Sequence, residues 1–141
     1  MKNIFIVLVA VIAISQSANC QGMKVPPAVK NAFNTKYPNA TNVTWAKENA
    51  KEYEAEFKLN NNSVSANFGM DGSWVETETM IPVAELPAAV SAAIIKKYPG
   101  AVITMAEKLE MPGDKLLYEA AFKVNGKKKS LELNPDGSLV K

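Results

Sequence analysis

The sequence predicts an α+β fold in which two helices pack on one face of an antiparallel sheet. Two stretches have the helical spacing of apolar residues, and the stretches after them alternate polar and apolar residues with the period of a strand. Dipeptides that form tight turns separate the alternating stretches. The same order of elements occurs twice. We therefore expect one domain over residues 21–141, made of two tandem copies of a helix and a four-stranded meander, at about residues 24–81 and 85–141.

The first 20 residues have the layout of a secretory signal peptide. Lys2 provides the positive start, and residues 4–14 form an unbroken apolar run. Eleven apolar residues are too few to span a bilayer, which takes about 20. Ala18 and Cys20 fit the small-residue positions before a cleavage site, so we expect cleavage after Cys20 and export to the periplasm or cell surface. The alternative is a lipid anchor on Cys20, although lipoprotein signals have Gly, Ala or Ser where Asn19 stands.

Each copy is predicted to open with a helix that ends at a Tyr-Pro pair. Proline disfavours helical geometry in the residue before it, so the helices should stop at Tyr37-Pro38 and Tyr98-Pro99. Pro26 and Pro87 are expected in the first helical turns. One apolar face is repeated in both copies, and it consists of Val29, Ala32, Phe33 and Tyr37 in the first and Val90, Ala93, Ile94 and Tyr98 in the second.

The strands are predicted from alternation and from turn dipeptides. In residues 52–59, Tyr53, Ala55 and Phe57 occupy one side, and glutamates occupy the other, which is typical of a half-buried strand. Four extra residues in the second copy, 111–114, should lie in a turn, and the last strand of that copy should be short. The turn dipeptides that favour positive φ are Asp71-Gly72, Asn125-Gly126 and Asp136-Gly137.

The repeated motifs resemble a known family. The pattern Tyr-Glu-Ala-x-Phe at residues 53–57 recurs at 118–122, and each copy also has a Tyr-Pro stop and an Asp-Gly-Ser turn. With the segments 74–78 and 81–90, this arrangement resembles the PepSY-like family of small secreted proteins, common in Bacteroidetes, whose fold is similar to that of the beta-lactamase-inhibitor protein. The resemblance covers nearly all of the chain after residue 20. It implies two helix-plus-four-strand repeats, export, no established enzymatic activity, and binding or inhibition of an envelope protein.

The composition excludes several kinds of active site. The chain has no His, its 16 basic residues are all Lys, and removal of residues 1–20 takes away the single Cys. An imidazole base, a thiolate nucleophile, the usual zinc sites and covalent haem attachment are therefore excluded. We predict a protein that is not an enzyme and has no catalytic residues, no cofactor and no metal site. The net charge of +2, or +1 without Lys2, argues against a nucleic-acid partner.

The candidate site is a partner-binding sheet face. If Val75, Thr77, Thr79 and Ile81 face the helices, an acidic face with one exposed tryptophan lies opposite, and it consists of Trp74, Glu52, Glu54, Glu56, Glu76 and Glu78. An exposed tryptophan is a common binding anchor, and surrounding charges select the partner.

Three alternatives compete with this interpretation. The acids could simply keep the face soluble, with Trp74 pointing inward as part of the core. Two carboxylates of Glu52, Glu54 and Glu56, about 7 Å apart along the strand, could approach a calcium ion, but no loop with calcium-ligand spacing accompanies them. The chain could also be a structural or small-ligand or metal-sequestering envelope protein, with its site in a pocket between the two helices.

Overall fold

The protein is a seven-stranded antiparallel sheet with two helices. A computed structural model describes residues 24–140, so the predicted signal peptide and Cys20 lie outside the described residues. The strands are hydrogen-bonded in chain order from β1 to β7, which confirms the α+β class. The elements are α1 (Pro27–Lys36), β1 (Thr41–Lys47), β2 (Glu52–Leu59), β3 (Asn62–Gly69), β4 (Trp74–Ile81), a 3-10 helix (Val83–Glu85), α2 (Ala88–Lys97), β5 (Val102–Met111), β6 (Lys115–Val124) and β7 (Lys127–Leu133).

The helices end where the Tyr-Pro pairs predict. Tyr37 is the C-cap of α1, and its N–H donates to the carbonyl of Phe33 at 2.8 Å. Tyr98 caps α2 in the same way on Ile94, also at 2.8 Å. Pro26 and Pro87 lie at the N-cap with ψ of 143° and 137°, one position before the first helical turn where they were expected.

The prediction of a fourth strand in the second copy is wrong. After β7 the chain turns through Asp136-Gly137, and Leu139 then makes only an isolated bridge with Leu133. The few described residues beyond this turn make a single bridge instead of a ladder. The four residues 111–114 do lie at a hairpin, because Met111 pairs with Lys115 across the β5–β6 turn.

The hydrophobic core consists of two clusters. Phe33 of α1 packs against Phe57 and Phe68, with ring centroids 5.0 and 6.2 Å away. Ile94 of α2 belongs to a second cluster with Phe122. Ala55, Ala66, Thr77 and Glu110 pair in one row across β2, β3, β4 and β5, and Ile81, Ala106 and Ala120 pair in another row across β4, β5 and β6. Thr77 and Ile81 are four residues apart on β4, so the two rows lie on the same side of the sheet. Both clusters therefore lie on one side of the sheet, which we call the helix face, and the opposite side is the open face.

Glycine permits close contact between α1 and the β3–β4 turn. Gly72 has a φ of +87°, and a Cβ there would come within 2.8 Å of the carbonyl oxygen of Ala28. The Asp71 carboxylate fixes the same turn by accepting hydrogen bonds from the backbone N–H and the hydroxyl of Ser73, at 2.9 and 2.6 Å. This contact seats the helix on one face of the sheet and leaves the open face uncovered by it.

Candidate functional site: an acidic sheet face

Eight of the eleven glutamates in the chain lie on the open face. The strand pairing places Glu54 opposite Asn67 and Asn67 opposite Glu76. Further along the sheet it places Glu107, Glu119 and Glu132 in one row across β5, β6 and β7. We call this set the acidic face, and its members are Glu52, Glu54, Glu56, Glu76, Glu78, Glu107, Glu119 and Glu132.

Sequence reasoning found five of these glutamates and missed three. The five in β2 and β4 lie on one side of the sheet, as the alternation of those strands indicated. Glu119 carried a readable signal, because it is the counterpart of Glu54 in the repeated Tyr-Glu-Ala-x-Phe pattern. Glu107 and Glu132 join the set only through strand pairing with Glu119, which the sequence does not state.

Trp74 is not part of the acidic face, so its predicted place there is wrong. Asn67 pairs with Glu76 but Phe68 pairs with Trp74, so β4 contains one extra residue at this point. Such a β-bulge reverses the alternation of side chains. Trp74 consequently shares the helix face with Phe68 and packs against the α1 cluster.

A small polar network holds Trp74 in its position on the helix face. The indole Nε1–H donates to the Thr77 hydroxyl at 2.9 Å, and the same hydroxyl is hydrogen-bonded to the Tyr37 hydroxyl. The Lys36 ammonium lies 3.5 Å from the centroid of the indole ring. Because these contacts use its ring face and its N–H, Trp74 is a structural residue of the helix face.

Burial raises the pKa values of several carboxyls on the acidic face. Burial, together with the charges of Glu107 and Glu76, raises the pKa of Glu78 to about 8. Burial likewise raises the pKa of Glu119 to about 7, against a hydrogen bond from Ser130 that lowers it. A buried carboxylate loses hydration, and neighbouring like charges add repulsion. These carboxyls thus bind protons more tightly than exposed glutamates do.

Two leucines explain the burial of carboxyls on a face without a helix. Leu109 pairs with Glu78 on one side and with Leu117 on the other, so both leucines belong to the open face. They are only 2% and 1% exposed. The carboxyls beside these buried leucines therefore lie next to an apolar surface. A depression of about 200 Å³ lies nearby and is lined by Glu54, Glu56, Phe57, Ser63, Val64, Ser65, Glu78, Met80 and Glu107.

The acidic face has unsatisfied hydrogen-bonding capacity. Asn67 is 8% exposed, and its amide Nδ2 donates to Glu76 Oε1 at 3.0 Å. Its carbonyl oxygen Oδ1 is buried and has no hydrogen-bond partner. Among residues 24–140 the one ion pair joins Lys108 and Glu110, at 3.3 Å, and these residues lie on the helix face. No lysine of this part of the chain therefore forms a salt bridge to the acidic face.

The described residues contain no group of three or more acidic side chains placed to hold a metal ion. Nor does any helix within residues 24–140 have the length and apolar character needed to cross a membrane.

A second cavity lies on the helix face, beside the C-terminal end of α1. Its volume is about 270 Å³, and it combines the aromatic walls of Tyr37 and Trp74 with the charges of Lys36 and Glu110. Lys36 ends α1 and Tyr37 is its C-cap, and the other lining residues belong to β2, β3, β4 and β5. It therefore differs from the predicted pocket between the two helices, although it occupies the same face.

Comparison with known proteins gives a consistent family. The family model described as "Putative beta-lactamase-inhibitor-like, PepSY-like" matches residues 15–64 and 51–141. The chain is similar to a BLIP-like protein from Bacteroides fragilis, at 27% identity over 85% of this chain and 86% of that one, with a TM-score of 0.71. No protein of curated function matches the chain.

Two further solved structures share the fold. A DUF2874 family protein from Bacteroides ovatus is 26% identical over 85% of this chain and 87% of that one, with a TM-score of 0.74. A protein from Bacteroides eggerthii, described as one of the "putative periplasmic proteins", is 22% identical over 84% of this chain and 88% of that one, with a TM-score of 0.75. The second likeness concerns the fold alone.

Proposed function

Since the chain belongs to the PepSY-like family, with the family model matching most of its length, we propose that it is an exported, non-enzymatic module that binds a protein of the cell envelope through its acidic face. The observation that carries this proposal is the set of eight glutamates on the sheet side away from both core clusters, none of them in a salt bridge within residues 24–140. Residues 1–20 serve as the signal peptide, and residues 21–141 form one domain of two tandem repeats with both helices on one face.

The energetics of the acidic face favour a partner. Several carboxyls are half-buried next to each other, and their raised pKa values express the cost of charging them at neutral pH. A partner with a complementary basic surface would reduce this repulsion and supply the missing hydrogen-bond donors. Surface acids whose only role is solubility do not need such burial. The acidic face therefore has the properties of an interface that is incomplete in the isolated chain.

The relatives support binding but do not name a partner. One structural neighbour, at 27% identity, is described as BLIP-like. The family description likewise refers to beta-lactamase inhibitors, which act by binding a protein. Together with the predicted signal peptide, these descriptions favour a binding module of the envelope over an enzyme.

A capture experiment tests this function. Tagged protein covering residues 21–141 is incubated with the envelope fraction of its source organism, beside a Glu54→Lys, Glu78→Lys double variant. The matched control is Glu85→Lys, which reverses a charge on the exposed 3-10 helix away from the acidic face. We expect a specific protein to be captured by the wild type and by the control but lost by the double variant. Equal capture by all three proteins would show that the acidic face is not the binding surface.

The helix-face cavity favours a second candidate function, the binding of a small ligand. Its aromatic walls and its two opposite charges, on Lys36 and Glu110, suit a small molecule with a flat or zwitterionic group. A ligand that binds only the folded state raises the melting temperature. Thermal shifts against metals and cell-wall fragments, repeated with Trp74→Phe, test this function. A ligand whose shift persists undiminished in Trp74→Phe does not use this cavity.

A further inference from the structure

The row formed by Glu54, Asn67 and Glu76 is the part of the acidic face where a buried hydrogen-bond acceptor has no partner. These residues lie side by side on β2, β3 and β4, and neighbouring strands are about 4.8 Å apart. The two carboxyls therefore flank the amide at a spacing that one planar group can span. The next row on the same face contains Glu78 and the two buried leucines, Leu109 and Leu117, which form the apolar floor of the acidic face.

The Asn67 carbonyl oxygen is the group that points to a ligand. The side chain is more than nine-tenths buried, and its Nδ2 is directed towards Glu76. The amide geometry then places Oδ1 on the other side of the group, towards β2, where Glu54 is the register partner. Buried polar atoms are nearly always hydrogen-bonded, so a buried acceptor without a donor requires an explanation.

The row presents acceptors and lacks a donor that reaches them all. The Asn67 Oδ1 and the carboxylates of Glu54 and Glu76 all accept hydrogen bonds. The one amide N–H₂ of the row already donates to Glu76. A single cation inserted from outside would satisfy the remaining acceptors together.

We propose that this row binds the guanidinium group of an arginine side chain presented by the partner protein. The proposal rests on the proposed function of the acidic face and names the chemistry of the partner there. A guanidinium has five N–H donors in one plane, which suits carboxylates on two sides and a carbonyl between them. It is more weakly hydrated than an ammonium group, so it loses less on entering a partly buried site.

A proton is the competing occupant of this row. Burial raises the pKa of Glu54, and the charges of Glu56 and Glu48 raise it further. Burial also raises the pKa of Glu76, against the hydrogen bond from Asn67 that lowers it. A protonated Glu54 is able to donate to Asn67 Oδ1 in the absence of a partner, and the incoming guanidinium would then displace that proton.

Titration with capped peptides tests the proposal on the chain covering residues 21–141. The probes are acetyl-Gly-Gly-Arg-Gly-Gly-amide and the same peptide with lysine or with uncharged citrulline in place of arginine. Binding is followed by NMR at pH 7.5 and low salt, through the Asn67 side-chain amide signals. We expect the arginine peptide to bind at least tenfold more tightly than the citrulline peptide and more tightly than the lysine peptide.

Variants then assign the binding to this row. Asn67→Leu, of similar size, and Glu54→Gln are each expected to weaken arginine binding about tenfold, since each removes a hydrogen bond to a charged group. Glu132→Gln makes the same charge change on the same face. The charge of Glu132 acts on Glu76, but Glu132 lies on β7 and is not a member of the row, so this variant is expected to weaken binding less than threefold. Glu85→Gln lies off the face and should have no effect. The melting temperature and circular dichroism of each variant confirm that it folds.

The possible failures can be told apart. Equal binding of the arginine and lysine peptides overturns the guanidinium assignment, and equal loss in Glu54→Gln and Glu132→Gln overturns the specific row in favour of diffuse attraction. Calcium that displaces the arginine peptide at micromolar concentration overturns it in favour of a metal site. If these tests fail while the envelope protein is still captured through the acidic face, the inference is wrong and the proposed function stands. If capture fails as well, both are wrong.

Discussion

Glu78 should make the folded protein less stable as the pH rises from about 4.5 to about 8. Burial and neighbouring carboxyls raise its pKa from the ordinary value of 4.5 to about 8 in the folded state. Between these values the folded state binds more protons at this site than the unfolded state does. Stability falls with rising pH wherever the folded state binds more protons. The contribution of Glu78 is therefore fully present below pH 4.5 and is lost as the pH approaches 8.

The magnitude follows from the difference between the two pKa values. About 1.4 kcal/mol for each pH unit gives a ceiling of about 5 kcal/mol between the ordinary value and the raised one. Glu78 is only half-buried, and water screens the charge of a partly exposed group. We therefore expect the free energy of unfolding to fall by about 2 kcal/mol between pH 4.5 and pH 8.

Urea denaturation at pH 4.5, 6 and 8.5, at constant ionic strength, measures this change. Glu78→Gln removes the titrating group, so it should unfold with nearly the same free energy as the wild type at pH 4.5 and be about 2 kcal/mol more stable at pH 8.5. Glu85→Gln, an exposed residue off the acidic face, serves as the matched control and should follow the wild type. Parallel pH profiles for the wild type and Glu78→Gln would refute the reasoning.

Three further predictions concern the fold, each measured by urea denaturation. Gly72→Ala should lower the free energy of unfolding by about 2 to 3 kcal/mol, because the new Cβ meets the backbone of α1 at a position with positive φ. Gly126→Ala places its Cβ in open space and should cost only about 1 kcal/mol. Equal costs would mean that the helix contact is unimportant. Thr77→Val leaves the buried Tyr37 hydroxyl and the partly buried Trp74 N–H without this partner and should lower the free energy of unfolding by about 2 to 3 kcal/mol, well above the cost of Thr79→Val. A smaller cost would contradict the network. Leu117→Ala should lower the free energy of unfolding by about 2 to 5 kcal/mol, because Leu117 is buried like a core residue although it lies on the open face. A cost below about 1 kcal/mol would show that the apolar floor of Leu109 and Leu117 is not packed.

The parts of the fold that depend on local chemistry were predictable from the sequence. A proline constrains the residue before it, so the ends of both helices follow from Tyr37-Pro38 and Tyr98-Pro99. Asn125 and Gly126 adopt positive φ at the β6–β7 hairpin, as their residue types favour. In both cases the determining residues are adjacent in the chain.

The orientation of Trp74 was not predictable, because it depends on a β-bulge. The extra residue in β4 reverses the side on which Trp74 lies, yet Trp74-Val75 is an ordinary strand sequence without a glycine to mark the bulge. The prediction therefore continued the alternation of β4 one residue too far. The hydrogen bond to Thr77 and the contact with Lys36 that stabilise the inward position come from residues that only the fold brings together.

The extent and burial of the acidic face also depend on long-range pairing. Leu109 and Leu117 become the apolar floor beside Glu78 only because β5 pairs with both β4 and β6. Nothing in the sequence around Asn67 shows that its carbonyl oxygen is buried without a partner. A sequence pattern assigns a residue to a side of a strand, whereas the environment of that side is set by neighbouring strands.

The burial of the acidic face distinguishes a binding site from a solubilising surface. A carboxylate that only keeps a sheet face soluble is most stable when fully hydrated, so selection for solubility alone favours exposed acids such as Glu56. Glu78 and Glu119 instead lie where charging them is costly. Glu107, only 5% exposed, has its pKa raised by burial alone. This cost falls when cationic groups occupy the face, and the stability that the isolated chain loses there is then recovered in the complex. The least hydrated carboxyls, and not the most exposed ones, are therefore the residues on which a partner should depend most.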